Sequence, residues 1–140
     1  MKRLRTMYLE GVLADEEESL IIENDLKGIG WRIEEFRIIS NDFNEAQDNT
    51  YVARLAMEPG LNPQFAQFER NDVLGFATYG GGGNEQILDM NTIIVDELYI
   101  TNCTQSTAIT NKSICYQVIL GLYEIDDKEQ LVAQVKISQG

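Results

Sequence analysis

Histidine is absent from the 140 residues of this chain. It is the commonest general base and transition-metal ligand in proteins, so Ser-His-Asp and Cys-His catalysis are excluded within one chain. Cysteine occurs only as Cys103 and Cys115, too few for a disulfide framework or, without histidine, for a tetrahedral zinc site. Their spacing allows a disulfide between two paired strands. We nevertheless expect both thiols to be reduced, with Cys115 in the core and Cys103 at a strand end.

Basic residues are also scarce, since 11 Lys and Arg face 23 Asp and Glu and the formal net charge is −12. This charge repels phosphate backbones and anionic membranes, which disfavours nucleic-acid binding over a broad face. The exception is the start of the chain, where Lys2, Arg3 and Arg5 lie close together. Residues 1–6 are either a basic arm that touches a structural neighbour or nucleic acid, or a solvated strand start with Leu4 pointing inward.

Long apolar runs are missing as well. No segment approaches the roughly 18 apolar residues that a membrane span needs, and no signal peptide is recognisable at the start. Hydrophobic residues make up 44% of the chain, which is enough for a core at this length. We therefore expect one soluble domain over residues 1–140, without a membrane span.

Short alternating apolar segments between polar loops predict an all-β protein with seven or eight strands and no long amphipathic helix. This pattern is typical of an antiparallel β-sandwich, and we favour a jelly roll. The predicted strands are residues 4–13, 31–38, 51–57, 73–79, 92–100, 114–125 and 131–137. Residues 19–22 are either a further strand or a helical turn, and residues 64–70 are a loop or a short helix.

Two of these strands carry additional information. In 31–38, a bulge at Glu34 and Glu35 would keep all four apolar side chains on one face, although a helix is the competing interpretation. In 114–125, apolar side chains occupy both faces, which predicts a second layer or a neighbouring subunit on the outer one. Gly121 within this strand indicates a bulge or a close approach to the backbone.

The glycine run at residues 80–83 does not fit a phosphate-binding loop, because the sequel Asn84-Glu85-Gln86 lacks lysine. It is better explained as a loop between strands that uses positive φ and contacts other subunits. The candidate interface residues are therefore Lys2, Arg3, Arg5, Gly80, Gly81, Gly82 and Gly83.

Carboxylates offer the remaining chemistry. Asp96, Glu97 and Glu124 could line a sheet face as glycosidase acids do, but exposed positions of half-buried strands explain them better. The loop from Asn41 to Glu45 has oxygen ligands at alternate positions but lacks the rest of an EF-hand pattern. We therefore predict no catalytic, cofactor-binding or metal-binding residues and no enzymatic activity.

The opening MKRLRTMYLEGVL and the final block TIIVDELYI…ICYQVILGLYEI…LVAQVKISQG are consistent with a family resemblance. With the strand count and acidic loops, they resemble small virion proteins of tailless phages that fold as a single jelly roll. The resemblance implies homo-oligomeric subunits of a capsid shell or vertex, assembled in the host cytoplasm, which contact other virion proteins through termini and loops.

Two other functions remain open. A monomeric carbohydrate- or ligand-binding β-sandwich would need exposed aromatic side chains, for which Tyr51, Phe65, Phe68 and Tyr79 are the candidates. The other alternative is a small carboxylate-dependent hydrolase.

Overall fold

The computed structural model describes residues 1–43, 49–81 and 83–138, with side chains up to residue 134. Its strands are β1 (Lys2–Leu13), β2 (Glu18–Glu23), β3 (Ile29–Ser40), β4 (Thr50–Ala56), β5 (Val73–Gly80), β6 (Gln86–Leu88), β7 (Glu97–Asn102) and β8 (Ile114–Glu124), followed by helix α1 (Asp127–Ser138). Residues 19–22 are therefore in a strand, and residues 64–70 contain no helix. Helix α1 is not long and apolar enough to cross a membrane.

The strands form two antiparallel sheets, which confirms the predicted β-sandwich. One sheet has the order β1-β8-β3 and the other has the order β2-β7-β4-β5-β6. The first strand pairs with the last, the second with the seventh and the fourth with the fifth, which is the nested strand order of a jelly roll. β6 departs from this jelly-roll order, because it pairs with β5 and not with β3. The Gln86 side chain reaches β3, where it accepts a hydrogen bond from the Phe36 N–H at 3.1 Å.

The bulge predicted in β3 is confirmed. The register against β8 shifts between Ile33 and Glu35, so that Glu34 is the extra residue. Trp31, Ile33, Phe36 and Ile38 are consequently all buried in the core between the sheets.

The prediction of a last strand over 131–137 is wrong, because this segment belongs to helix α1. Asp126 lies just before the helix and its Oδ1 accepts the Glu129 N–H at 2.8 Å, while Glu129 Oε1 accepts the Asp126 N–H at 3.2 Å. This reciprocal pair is a capping box, which starts a helix. The alternation of apolar residues further along suggested a strand, but it does not outweigh this signal.

The predicted strand over 92–100 is only partly correct, because β7 begins at Glu97. Before it, the chain makes one isolated bridge to β3, in which Trp31 and Ile94 exchange two backbone hydrogen bonds of 2.8 and 2.7 Å. Asp89 accepts the Thr92 N–H at 3.0 Å and holds the preceding turn. Residues 92–96 therefore join the two sheets and do not extend the ladder of β7.

Arg54 of β4 positions the long connection between β4 and β5. Its side chain is buried, with 1% of its surface exposed. The guanidinium donates to the carbonyl oxygens of Asn62 at 2.9 Å, Phe65 at 3.0 Å and Leu61 at 3.0 Å. A charged side chain thus provides the donors that loop carbonyls need when they are removed from water.

Candidate assembly surface

The three-stranded sheet has an outer face turned away from the core. Core residues such as Val118 and Phe36 mark the opposite, inner side of the same strands. Because successive side chains alternate between faces, the pairing of β1 and β3 with β8 places three rows across the outer face. The rows are Val12, Cys115 and Ile39; Glu10, Gln117 and Arg37; and Tyr8, Ile119 and Glu35.

The middle row is a connected polar ladder. Gln117 Nε2 donates to Glu10 Oε1 at 2.9 Å, and Arg37 Nη2 donates to Gln117 Oε1 at 3.0 Å. Arg37 also pairs with Glu35 at 3.0 Å. These bonds link all three strands, so the outer face presents a fixed arrangement of polar groups.

Large apolar side chains flank this ladder and are open to solvent. Tyr8 is 66% exposed, Val12 55% and Ile39 40%. A groove of about 700 Å³ runs across this part of the face, and Glu85 and Gln86 contribute to its far wall. Exposed apolar side chains beside ordered polar groups make this face a candidate docking surface.

The basic residues Lys2, Arg3 and Arg5 lie within β1 and pair with β8, and so are not on a separate arm. The register shifts between Arg3 and Arg5, which leaves Leu4 44% exposed and corrects the expectation that it points inward. Arg3 donates to both carboxylate oxygens of Glu34, at 3.1 and 2.7 Å. Arg3 therefore already has an ion-pair partner within the chain.

Gly80 ends β5, and Gly81 begins the turn that leads to β6. Gly80 and Gly81 have φ angles of 88° and 60°, which glycine adopts at little cost. Gly83 donates its N–H to the Gly80 carbonyl at 3.2 Å, and Gly82 lies outside the described residues. This turn leads towards the groove near Val12, whereas Arg3 is about 30 Å further back along β1 at the usual rise per residue. The two predicted sets of interface residues are thus not brought together.

Both cysteines are free. Cys103 follows β7 as expected and is buried, and burial raises the pKa of its thiol to about 11. Cys115 is not a core residue, because it lies half-buried on the outer face, where its Sγ is 3.1 Å from Asn41 Oδ1. The expectation that it packs in the core is therefore wrong.

The candidate carboxylates do not converge. Glu97 begins β7 in one sheet, Glu124 ends β8 in the other, and Asp96 is exposed between elements. The Glu97 carboxylate accepts a hydrogen bond from the Tyr99 hydroxyl. Residues 1–43, 49–81 and 83–138 contain no cluster of three or more acidic or cysteine side chains able to hold a metal. Of the loop considered for calcium, Asn44 and Glu45 lie outside the described residues.

The four aromatic candidates for ligand binding divide into two pairs. Tyr51 is buried and Tyr79 packs beside it, with ring centroids 6.2 Å apart. Phe65 and Phe68 are exposed and line a separate groove of about 640 Å³ on the other sheet, with Gln64, Gln105 and Asn49 beside them. Of the four, only the second pair is exposed.

Comparison with family models, with curated proteins and with solved structures found no match for this chain. Sequence reasoning identified the two-faced apolar pattern of β8 but missed Tyr8 and Val12 of β1. The sequence of β1 carries the same two-faced apolar pattern, because Met7 and Leu9 lie at odd positions and Tyr8 and Val12 at even ones.

Proposed function

We propose that this protein is a structural component of a phage virion, in the capsid shell or at a vertex, and that it acts by subunit–subunit assembly without catalysis. Such a protein would assemble in the host cytoplasm and remain in the virion. The observation that carries the proposal is the outer face of the three-stranded sheet, where Tyr8, Val12 and Ile39 are exposed around an ordered polar ladder.

Two further features support this function. The nested strand order agrees with the jelly roll of the virion proteins that the sequence resembles. The carboxylates considered for catalysis lie on separate elements, so an extended surface is a better basis for function than a cleft.

Size-exclusion chromatography with light scattering tests the proposal over a range of protein concentrations. We expect oligomers whose fraction rises with concentration. Replacing Val12 and Ile39 by serine should weaken association by about tenfold or more, because each side chain contributes on the order of 1–2 kcal/mol when buried. The matched control replaces by serine Leu26 and Leu131, which are exposed apolar residues in the β2–β3 connection and in helix α1. A wild-type protein that stays monomeric at all concentrations would refute the proposal.

A carbohydrate- or ligand-binding module without catalysis is the second candidate. It is favoured by one observation, the exposed Phe65 and Phe68 beside the amides of Gln64 and Gln105. Sugars stack on aromatic rings and hydrogen-bond to amides, so this function predicts that a Phe65→Ala variant loses binding in a glycan screen. Saturable sugar binding by a strict monomer would favour this function over assembly.

A further inference from the structure

The outer edge of β1 is unusually long and open. β1 has 12 residues and pairs with β8 on one side, and no other described strand hydrogen-bonds to it. In an antiparallel ladder only alternate residues direct their backbone groups to a given neighbour, so about half of those in β1 point away from β8. An edge of this length is a template for pairing with another strand.

The charges along β1 are arranged asymmetrically. Lys2, Arg3 and Arg5 occupy its first half, whereas its second half contains Glu10 and is followed by the turn with Asp15 and Glu16. Parallel pairing of two copies would place like charges side by side. Antiparallel pairing places the basic half of one copy beside the acidic half of the other, which offsets the repulsion expected between two chains of net charge −12.

We propose that β1 pairs with β1 of a second copy of this chain, antiparallel and around a two-fold axis near Tyr8. This contact rests on the proposed assembly function and specifies one of its interfaces. The two three-stranded sheets become one sheet of six strands, and each copy contributes the same residues, as in other isologous dimers.

The side chains fit this register. With Tyr8 of both copies on the axis, Thr6 faces Glu10 of the second copy, since directly opposed residues share a face. Arg3 already donates to the Thr6 hydroxyl and therefore comes within diagonal reach of that Glu10. On the inner face, Met7 lies opposite Leu9 of the second copy. Both are only partly buried in the single chain, and pairing removes more of their surface from water.

An edge contact of this kind buries less surface than a standard interface, so each pairing is weak by itself. Weak contacts are sufficient in a closed assembly because several of them act together. The proposal therefore predicts a concentration-dependent dimer and not a permanent one.

Cysteine cross-linking tests the pairing directly. Tyr8→Cys is introduced with Cys115→Ser, which leaves only the buried Cys103, and the protein is oxidised. We expect a disulfide-linked dimer at several times the yield of the matched control Leu26→Cys, which is 62% exposed in the connection between β2 and β3 and lies outside the assembly face. Equal yields for the two variants, or no dimer from Tyr8→Cys, would overturn the proposal.

One mixing experiment tests the orientation. Thr6→Cys and Glu10→Cys, each with Cys115→Ser, should cross-link better when mixed than when either is oxidised alone. Equal cross-linking would contradict the antiparallel register.

The charge argument has its own matched pair of variants. Replacing Lys2 and Arg5 by serine should weaken the dimer by about tenfold, whereas replacing Lys27 and Lys128 by serine lowers the net charge equally and should have a much smaller effect. If both double variants weaken association equally, the charge complementarity is refuted. Oligomers of the wild type that fail the cross-linking test would refute the β1 contact and leave the assembly function standing, while a strict monomer would refute both.

Discussion

Arg3 of β1 and Glu34 of β3 form a two-contact ion pair across the outer face, although β8 lies between their strands. The geometry depends on Gly121 of β8. A Cβ atom at that position would lie 2.7 Å from Glu34 Oε2 and 2.9 Å from the Tyr123 ring. The absent side chain thus makes room for the carboxylate that links the two edge strands.

Gly121→Val should lower the free energy of unfolding by about 1–3 kcal/mol, because the new side chain displaces Glu34 and crowds Tyr123. Urea denaturation measures the change. In a Glu34→Ala background the same substitution should cost less, which a double-mutant cycle reports as coupling. Gly83→Val is the control, since nothing lies within 4 Å of its added Cβ. Equal losses at both glycines would contradict the steric explanation.

Asp126→Ala should lower the free energy of unfolding by about 1 kcal/mol through loss of the helix cap. The helical signal in circular dichroism at 222 nm should fall in parallel. Gln134→Ala, an exposed position within α1, leaves the cap intact and should change neither measurement appreciably. If Asp126→Ala behaves like this control, the capping box does not stabilise the helix.

Arg54→Met should destabilise the fold by about 2–4 kcal/mol, because three loop carbonyls lose their donors while they stay away from water. Arg37→Met is the comparison, since its ion pair with Glu35 is exposed and such pairs contribute less than about 1 kcal/mol. Thermal denaturation of both variants measures the difference. A similar small effect at both positions would show that Arg54 does not hold the loop.

Native protein should present one reactive thiol to a thiol reagent at pH 8, and unfolded protein should present two. Cys115 is the accessible one on the outer face, whereas Cys103 is buried and its pKa of about 11 leaves roughly one thiol in a thousand ionised. Cys115→Ser should remove the rapid reaction. Two rapidly reacting thiols in the folded protein would contradict the burial of Cys103.

Stability should decline in alkali as pH rises from about 9 to about 11. Burial raises the pKa of Cys103 above its ordinary value, so the unfolded chain releases this proton at lower pH than the folded one. The stabilisation that comes from the raised pKa of Cys103 is complete below pH 9 and is lost as pH approaches 11. Cys103→Ala should show a shallower decline in urea denaturation between these values. An unchanged slope would contradict this assignment.

Local patterns were sufficient for much of the fold. Short apolar segments between turn signals identified four strands within a few residues of their bounds, at residues 4–13, 51–57, 73–79 and 114–125, and in the last of these the alternation of a strand is visible in the sequence. The bulge at Glu34 was predictable for the same reason, since two apolar pairs of opposite parity must share one face. Helix α1 has a local signal as well, Asp126 followed by Glu129, but the alternating apolar residues of 131–137 imitate the pattern of a strand.

Composition and pattern by themselves therefore determined a β-rich chain with a large acidic excess and no histidine chemistry. The tertiary structure decided the outer face, because its rows join residues more than 100 positions apart, such as Glu10 and Gln117. It also decided that Cys115 lies on that face, that Arg54 is buried beneath a loop and that β1 is an edge strand. Each of these depends on which strands become neighbours, and that choice is made by the packing of the two sheets and not by the period of any one segment.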